Sequence, residues 1–211
     1  MIEPNRLSDI QLDVLREAGN IGAGNAATSM SKLMDHKVDM QVPSVHIVPF
    51  DEVLEWIGGP DVPVASIMIH IFGDAPGNVY FFLKVNEAES LAKSVTKQPH
   101  VQLDNRGTDH FAASAIKETG NILTSSYLSA LSDFTGLHMQ PSVPAMHIDM
   151  AGAILSHALI EVSQMTDYVL IIDTEISYSG FDQRIQGNFL FLPDPKSFSE
   201  LFKSLGIEEN E

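Results

Sequence analysis

Leu7, Ile10, Val14, Ala18 and Ile21 recur at three- and four-residue steps, the period of one face of a helix. That spacing predicts a long helix from Leu7 to about Asp35. Ser8, with Gln11 three residues later, fits a capping box at its start. A second segment of the same period runs from about Asp109 to Asp133. Each long helix is followed by a predicted strand, Val38 to Val48 and His138 to Ile148. A short helix comes next, Asp51 to Ile57 and Met150 to Val162. Two strands then pair: Val62 to Phe72 with Asn78 to Lys84, and Tyr168 to Ser177 with Ile185 to Leu192. Gly73 to Gly77 and Gly180-Phe181-Asp182 read as their turns. Closing helices are expected at Glu87 to Thr96 and Lys196 to Leu205. Helices mixed with antiparallel strand pairs imply an α+β layered fold.

The polar positions repeat along with the apolar ones. Asp13-Val-Leu-Arg-Glu17-Ala-Gly-Asn20-Ile21 matches Ser114-Ala-Ile-Lys-Glu118-Thr-Gly-Asn121-Ile122, 101 residues later. Each Asn is followed 23 residues on by a proline, in Val42-Pro43-Ser44-Val45-His46-Ile47 and Val143-Pro144-Ala145-Met146-His147-Ile148. Gly77-Asn78-Val79-Tyr80-Phe81-Phe82-Leu83 matches Gly187-Asn188-Phe189-Leu190-Phe191-Leu192. Three ordered matches imply an internal duplication. The chain reads as a single domain, residues 1–211, of two homologous halves, about 1–100 and 106–211, joined near Gln98 to Arg106. Pseudo-twofold symmetry would pack the two long helices side by side on one face of a joined mixed or antiparallel β-sheet.

Asp13, Glu17 and Asn20 are four and three residues apart, within a narrow stripe of one helix face at about 100° per residue. Ser114, Glu118 and Asn121 repeat the arrangement. The apolar stripe lies about a quarter-turn away, so Glu and Asn should sit at the edge of the buried face. A glycine precedes each Asn, Gly19 and Gly120. Glycine in a helix interior costs about 1 kcal/mol against alanine, a cost that close approach of another backbone would explain. Taken singly, Glu-x-x-Asn is a solvated helix face. Its survival in both halves, while Ala18 and Thr119 diverged, favours function. Asp13 and Ser114 carry less, since either can simply support its helix.

Asn has no useful basicity, but its amide can accept from and donate to one water. Glu supplies a fixed negative charge for a lysine or arginine. Covalent catalysis is poorly served by this pair. Positioning a water for in-line attack on phosphorus is well served, because phosphoryl transfer rests mostly on orientation and electrostatics. The electrophile, its metal and the cation would then belong to a partner.

Composition narrows the remaining classes. The 211 residues are 44% hydrophobic, enough for a packed core. There is no cysteine, so disulfides, thiolate nucleophiles and cysteine-held zinc are excluded. A formal net charge of -16 argues against nucleic-acid binding. Neither a membrane-spanning run nor a basic, apolar leader is present, and a cytoplasmic location is expected. Gly22-Ala-Gly24-Asn-Ala-Ala27 fits a loose dinucleotide pattern, but inside a predicted helix rather than at a strand-to-helix turn. Small residues for close helix packing are the simpler reading. The eight histidines form no HxxxH pair, and no metal site is expected. Ser125 and Ser126 lack a nucleophile elbow. Trp56, Phe81 and Phe82 read as core.

With these residues in hand, the chain resembles the CheC-type phosphatases of bacterial chemotaxis, the CheC/CheX/FliY family. That family's signature is Asp or Ser, Glu four on, Asn three further and Pro 23 beyond. It matches Asp13, Glu17, Asn20, Pro43 and again Ser114, Glu118, Asn121, Pro144. Gly-Asn-Ile-Gly-Ala-Gly at 19–24, the segment 58–66 and Pro-Ser-Val-Pro at 141–144 extend the likeness over nearly the whole chain. Two intact sites place it nearer CheC than the single-site CheX, and the lack of an N-terminal peptide or C-terminal switch domain argues against FliY. The resemblance implies hydrolysis of the aspartyl phosphate of CheY. Glu17 and Glu118 would pair with a lysine of CheY, and Asn20 and Asn121 would orient the water. No cofactor would be bound by this chain, the magnesium belonging to CheY. The deamidase CheD is a second implied partner, with the segment Asp149, Ala151, Gly152 and Leu155 as candidate surface against the plain alternative of a core-facing helix. The competing reading is a non-catalytic adaptor for CheY-phosphate or CheD. A dinucleotide enzyme is more remote. Gly22 and Gly24 follow Asn20, whereas Leu123 and Ser125 hold those places after Asn121, so the two sites are expected to be unequal.

Overall fold

The structure is a computed structural model that describes residues 9–103, 110–162, 168–178 and 184–204. In chain order its elements are α1 (Asp9–Met34), β1 (Val38–Gln41), β2 (Val45–Pro49), α2 (Val53–Ile57), β3 (Pro63–Gly73), β4 (Gly77–Lys84) and α3 (Val85–Thr96). The second half follows with α4 (His110–Thr135), β5 (Met139–Pro141), β6 (Ala145–Met150), α5 (Ala151–Val162), β7 (Tyr168–Tyr178), β8 (Ile185–Pro193) and α6 (Pro195–Ser204). A single 3-10 turn, Phe50–Glu52, leads into α2. The expected cap at Ser8, the start at Leu7, the turn at Gly180-Phe181-Asp182 and the helix end at Leu205 lie outside the described residues.

The strands form one eight-stranded sheet in the order β1-β7-β8-β4-β3-β5, with β2 also on β7 and β6 also on β3. Every described pairing is antiparallel. The halves meet at β4 and β8, where Phe81 lies opposite Phe189. They also exchange their first strands: β1 and β2 of the first half pair with β7 of the second, and β5 and β6 pair with β3. Each half thus completes the other's sheet.

One expectation needs correction here. Val38 to Val48 and His138 to Ile148 are each two strands, not one, separated by Val42–Ser44 and Ser142–Pro144. Proline lacks the N–H that a ladder needs, so Pro43 and Pro144 interrupt the pairing.

The sheet is buried on both faces. On one, Ala65, Ile67, Ile69, Phe81, Leu170, Ile172 and Phe189 pack with Leu15, Met30 and Ile116 from the long helices and Leu91 from α3. On the other, Val64, Tyr80, Phe82, Val169, Ile171 and Leu190 lie under Val53 and Ile57 of α2 and Ala151 and Leu155 of α5. Phe81 and Phe82 are both core, on opposite faces, as alternation requires. Trp56 is not: it is 40% exposed, its ring against His46 with centroids 4.2 Å apart. The helix face is also corrected. Ile21 is 42% exposed, while Leu15, Ala18, Ala23, Ala26 and Met30 are buried. Small residues define the buried stripe of α1, and small residues weigh little in a hydropathy pattern.

Tyr127 of α4 is buried beneath the sheet, its ring edge-on to Phe189 and its hydroxyl 2.9 Å from Thr174 Oγ1. Burial pushes its hydroxyl up to about 12, partly opposed by the bond to Thr174. The unfolded chain would ionise this group near pH 10. The stability it contributes is complete below that pH and falls as pH rises toward 12. Denaturant midpoints measured across this window should drop in the native protein, and the Tyr127 share of that drop should vanish in Tyr127→Phe.

Candidate half-sites on the paired helices

α1 and α4 pack against each other, with a close approach at Gly22. A Cβ there would lie 2.9 Å from the Cα of Tyr127 and 3.1 Å from the carbonyl oxygen of Ser126. Only glycine admits that approach. The Gly22 to Ala27 segment therefore works as a helix-packing surface. It lies wholly within α1, without the strand-to-helix turn that a dinucleotide site requires.

Crossing the helices in this way leaves the Glu and Asn residues on their outer edges. Glu17, Asn20 and Glu118 are exposed and Asn121 is half-buried. Asp13 pairs with Arg16 at 2.9 Å and Ser114 is exposed. The Asp13–Arg16 pair gives Asp13 a plain helix-supporting role.

The glycine before Asn121 is explained by a side chain rather than by backbone, and the glycine before Asn20 is not required by its contacts. A Cβ on Gly120 would sit 2.8 Å from Ile67 Cγ2. On Gly19 it would meet both methyls of Val42 at 3.4 Å. Gly120 lets α4 settle on Ile67 of the sheet, with Asn121 next to it at the rim.

The proline of the motif has a structural consequence at the first site. Where β1 stops, the Val42 N–H leaves the ladder and donates to Asn20 Oδ1 at 3.2 Å. That bond ties the amide oxygen of Asn20 to the end of β1. Pro43 is exposed beside it. The second site differs. Val143 is 88% exposed where Val42 is 4% exposed, and Asn121 has no hydrogen bond to the protein among the described residues. Pro144 is half-buried.

Sequence reasoning missed the residues behind Pro43. Ser44 Oγ donates to Asp173 Oδ2, and the Asp173 N–H donates to the Ser44 carbonyl at 3.0 Å. Asn188 Nδ2 donates to Asp173 Oδ1 at 2.8 Å, and His46 Nε2 lies 3.6 Å from Asp173 Oδ2. The sequence trace of this cluster is slight: His46 and Asn188 fall in the matched segments, and Ser44 stands against Ala145 across the repeat. The segment named as a second partner surface is largely corrected. Ala151 and Leu155 are 0% and 1% exposed in the core under α5, and Gly152 is held by its N–H on the Pro60 carbonyl at 2.9 Å. Only Asp149 remains exposed. An apolar residue at those positions closes the sheet's second face.

Two acid–amide pairs at helix edges, each without a nucleophile or base beside it among the described residues, are the arrangement expected of a protein that completes a reaction centre carried by another molecule. A family model described as the CheC-like family matches residues 10–47 and again 111–148. The chain is 41% identical to the CheY-P phosphatase CheC of Bacillus subtilis over 96% of its own length and 97% of that protein's. It is 20% identical to the putative CheY-P phosphatase CheC1 of Halobacterium salinarum, over 92% and 96% of the two chains. The structure of Thermotoga maritima FliY superposes with a TM-score of 0.74 at 17% identity, covering 97% of this chain and all of that one. The chain belongs to the CheC-like family. No helix among the described residues is long and apolar enough to cross a membrane.

Proposed function

We propose that this chain is a phosphatase that accelerates hydrolysis of the aspartyl phosphate of CheY. The observation that carries the reading is the presentation of Glu17–Asn20 and Glu118–Asn121 at the edges of two packed helices. It is supported by 41% identity over nearly the full length of a CheY-P phosphatase. A helix edge is narrow enough to enter a partner's active site, which a concave pocket is not.

The exposed carboxylates of Glu17 and Glu118 attract a lysine of CheY and set the docking register. Such rim charges steer encounter and orientation more than they add affinity. Asn20 or Asn121 then reaches the phosphoryl group and holds a water in line with the bond to be broken. The amide does not take a proton. Its contribution is geometric, trading the freedom of a loose water for one fixed direction. Magnesium, coordinated within CheY, neutralises phosphoryl charge in that centre. This chain supplies the part that aligns water, in the compartment where CheY acts, the cytoplasm. CheD remains a second partner on family resemblance, with Asp149 the one candidate contact left on the surface.

Phosphorylated CheY mixed with this protein should lose its phosphate faster than CheY alone. A non-catalytic adaptor would bind CheY-phosphate and leave its lifetime unchanged or lengthened, and that result would reject the phosphatase reading. The two half-sites are held differently, so Asn20→Ala and Asn121→Ala should remove unequal shares of the activity. Steady-state rates of the two single variants check this, and equal losses would contradict it.

A further inference from the structure

We infer that Ser44 and Asp173 form a clamp that positions Asn20, so that the second half of the chain braces the reaction centre of the first. The inference rests on the phosphatase reading for its kinetic consequence, but not for the clamp itself. The connection runs through four bonds. Asn188 holds one oxygen of Asp173, and the other oxygen accepts from Ser44 Oγ. The Asp173 N–H fixes the Ser44 carbonyl. Two residues earlier, the Val42 N–H holds the Asn20 oxygen.

Packing fixes the two ends of this crossover, Val42 and Val45, which are buried in the core, but not Pro43 between them. Pro43 is exposed on one side. On the other it borders a cavity of about 390 Å³ whose walls include Trp56, Asp173 and Asn188. Val42 rests on Gly19, and Ile57, Val64, Phe82 and Leu83 also line the cavity behind Pro43. Charge-assisted hydrogen bonds to a carboxylate are the stronger kind, and here one ties Ser44 to β7 beside Pro43.

The duplication supplies an internal control. The register that places Ser44 against Asp173 sets Ala145 against Met68 in the other half. That pair offers no hydroxyl and no carboxylate. There Val143 is 88% exposed, and Asn121 has no protein hydrogen bond among the described residues. The second crossover is held instead by Ser142, whose N–H donates to the His70 carbonyl at 2.8 Å and whose Oγ accepts from the His70 N–H at 3.0 Å, and the Asn121 side chain takes no part in it. The clamp thus belongs to one site only, and Ser44 and Asp173 are positioning residues that never touch phosphate.

The test uses the protein with one site silenced. In an Asn121→Ala background, where only the first site works, Ser44→Ala should lower kcat about tenfold with KM for CheY-phosphate unchanged, since misplacing an orienting group acts on the chemical step. Ser44→Thr, which keeps the hydroxyl, should restore it. In an Asn20→Ala background Ser44→Ala should not lower the rate, which there comes from the second site. An unchanged or raised kcat in the first background overturns the inference. So does an equal loss in both, which would signify general destabilisation. If neither single-site protein accelerates hydrolysis, the phosphatase reading itself fails. Amide exchange at Val42 then still decides the clamp without substrate: faster in Ser44→Ala and native in Ser44→Thr supports it, and native exchange in Ser44→Ala overturns it.

Discussion

A protein carrying both Asn20→Ala and Asn121→Ala should still bind phosphorylated CheY and should lose all acceleration of its dephosphorylation. Binding is expected to survive because Glu17 and Glu118 remain exposed on their helices. The fold is expected to survive too. Asn20 makes one hydrogen bond, to the Val42 N–H, worth about 1 kcal/mol, and Asn121 makes none to the protein among the described residues. Alanine also favours helix over asparagine by up to about 0.7 kcal/mol. The loss would therefore be one of chemistry. Thermal melting, CheY-phosphate binding and phosphate release on the same preparation separate the three. Native rates in the double variant would show that the amides do not orient the water.

The largest effect on stability should come from Gly22→Ala. In an open helix this change stabilises by about 1 kcal/mol. At Gly22 the new methyl would lie 2.9 Å from the Cα of Tyr127 and 3.1 Å from the Ser126 carbonyl oxygen. Both are backbone atoms of α4, so no side-chain rotation relieves the contact. The two long helices must separate, and overpacking of this kind costs about 1–3 kcal/mol. Gly24, two residues on, has nothing within 4 Å. Gly24→Ala should accordingly raise the melting temperature while Gly22→Ala lowers it by several degrees. Equal effects from the two would mean that α1 and α4 do not cross at Gly22.

The candidate Glu–Asn pairs were more legible in the sequence than the sheet that supports them. Glu17, Asn20 and their copies stood out because duplication preserved exposed polar residues that folding alone does not require. Element positions followed from periodicity, with ends shifted by one or two residues. The exchange of strands was not readable. Alternation in Val38–Gln41 is the same whichever strand it joins, and its partner Glu175–Tyr178 lies far along the chain. The buried stripe of α1 was misplaced because Gly19, Gly22, Ala23 and Ala26 mark it by smallness, leaving Ile21 exposed. Trp56 reads as core in the sequence because hydropathy does not reveal that α2 is too short to cover its own ring. Ala151 and Leu155 were offered as surface, yet they seal the second face of the sheet. The clamp behind Pro43 joins Ser44 to Asp173, 129 residues away, and no local pattern announces such a pair.

The central claim is that this chain turns over CheY-phosphate through its exposed Glu–Asn pairs. Phosphate release followed over time, with the protein present in large molar deficit to phosphorylated CheY, tests it most directly. The account predicts that the whole CheY-phosphate pool is consumed at a rate proportional to the amount of this protein added. Phosphate release at the rate of CheY alone, or release that stops after an amount equal to the protein added, would contradict it.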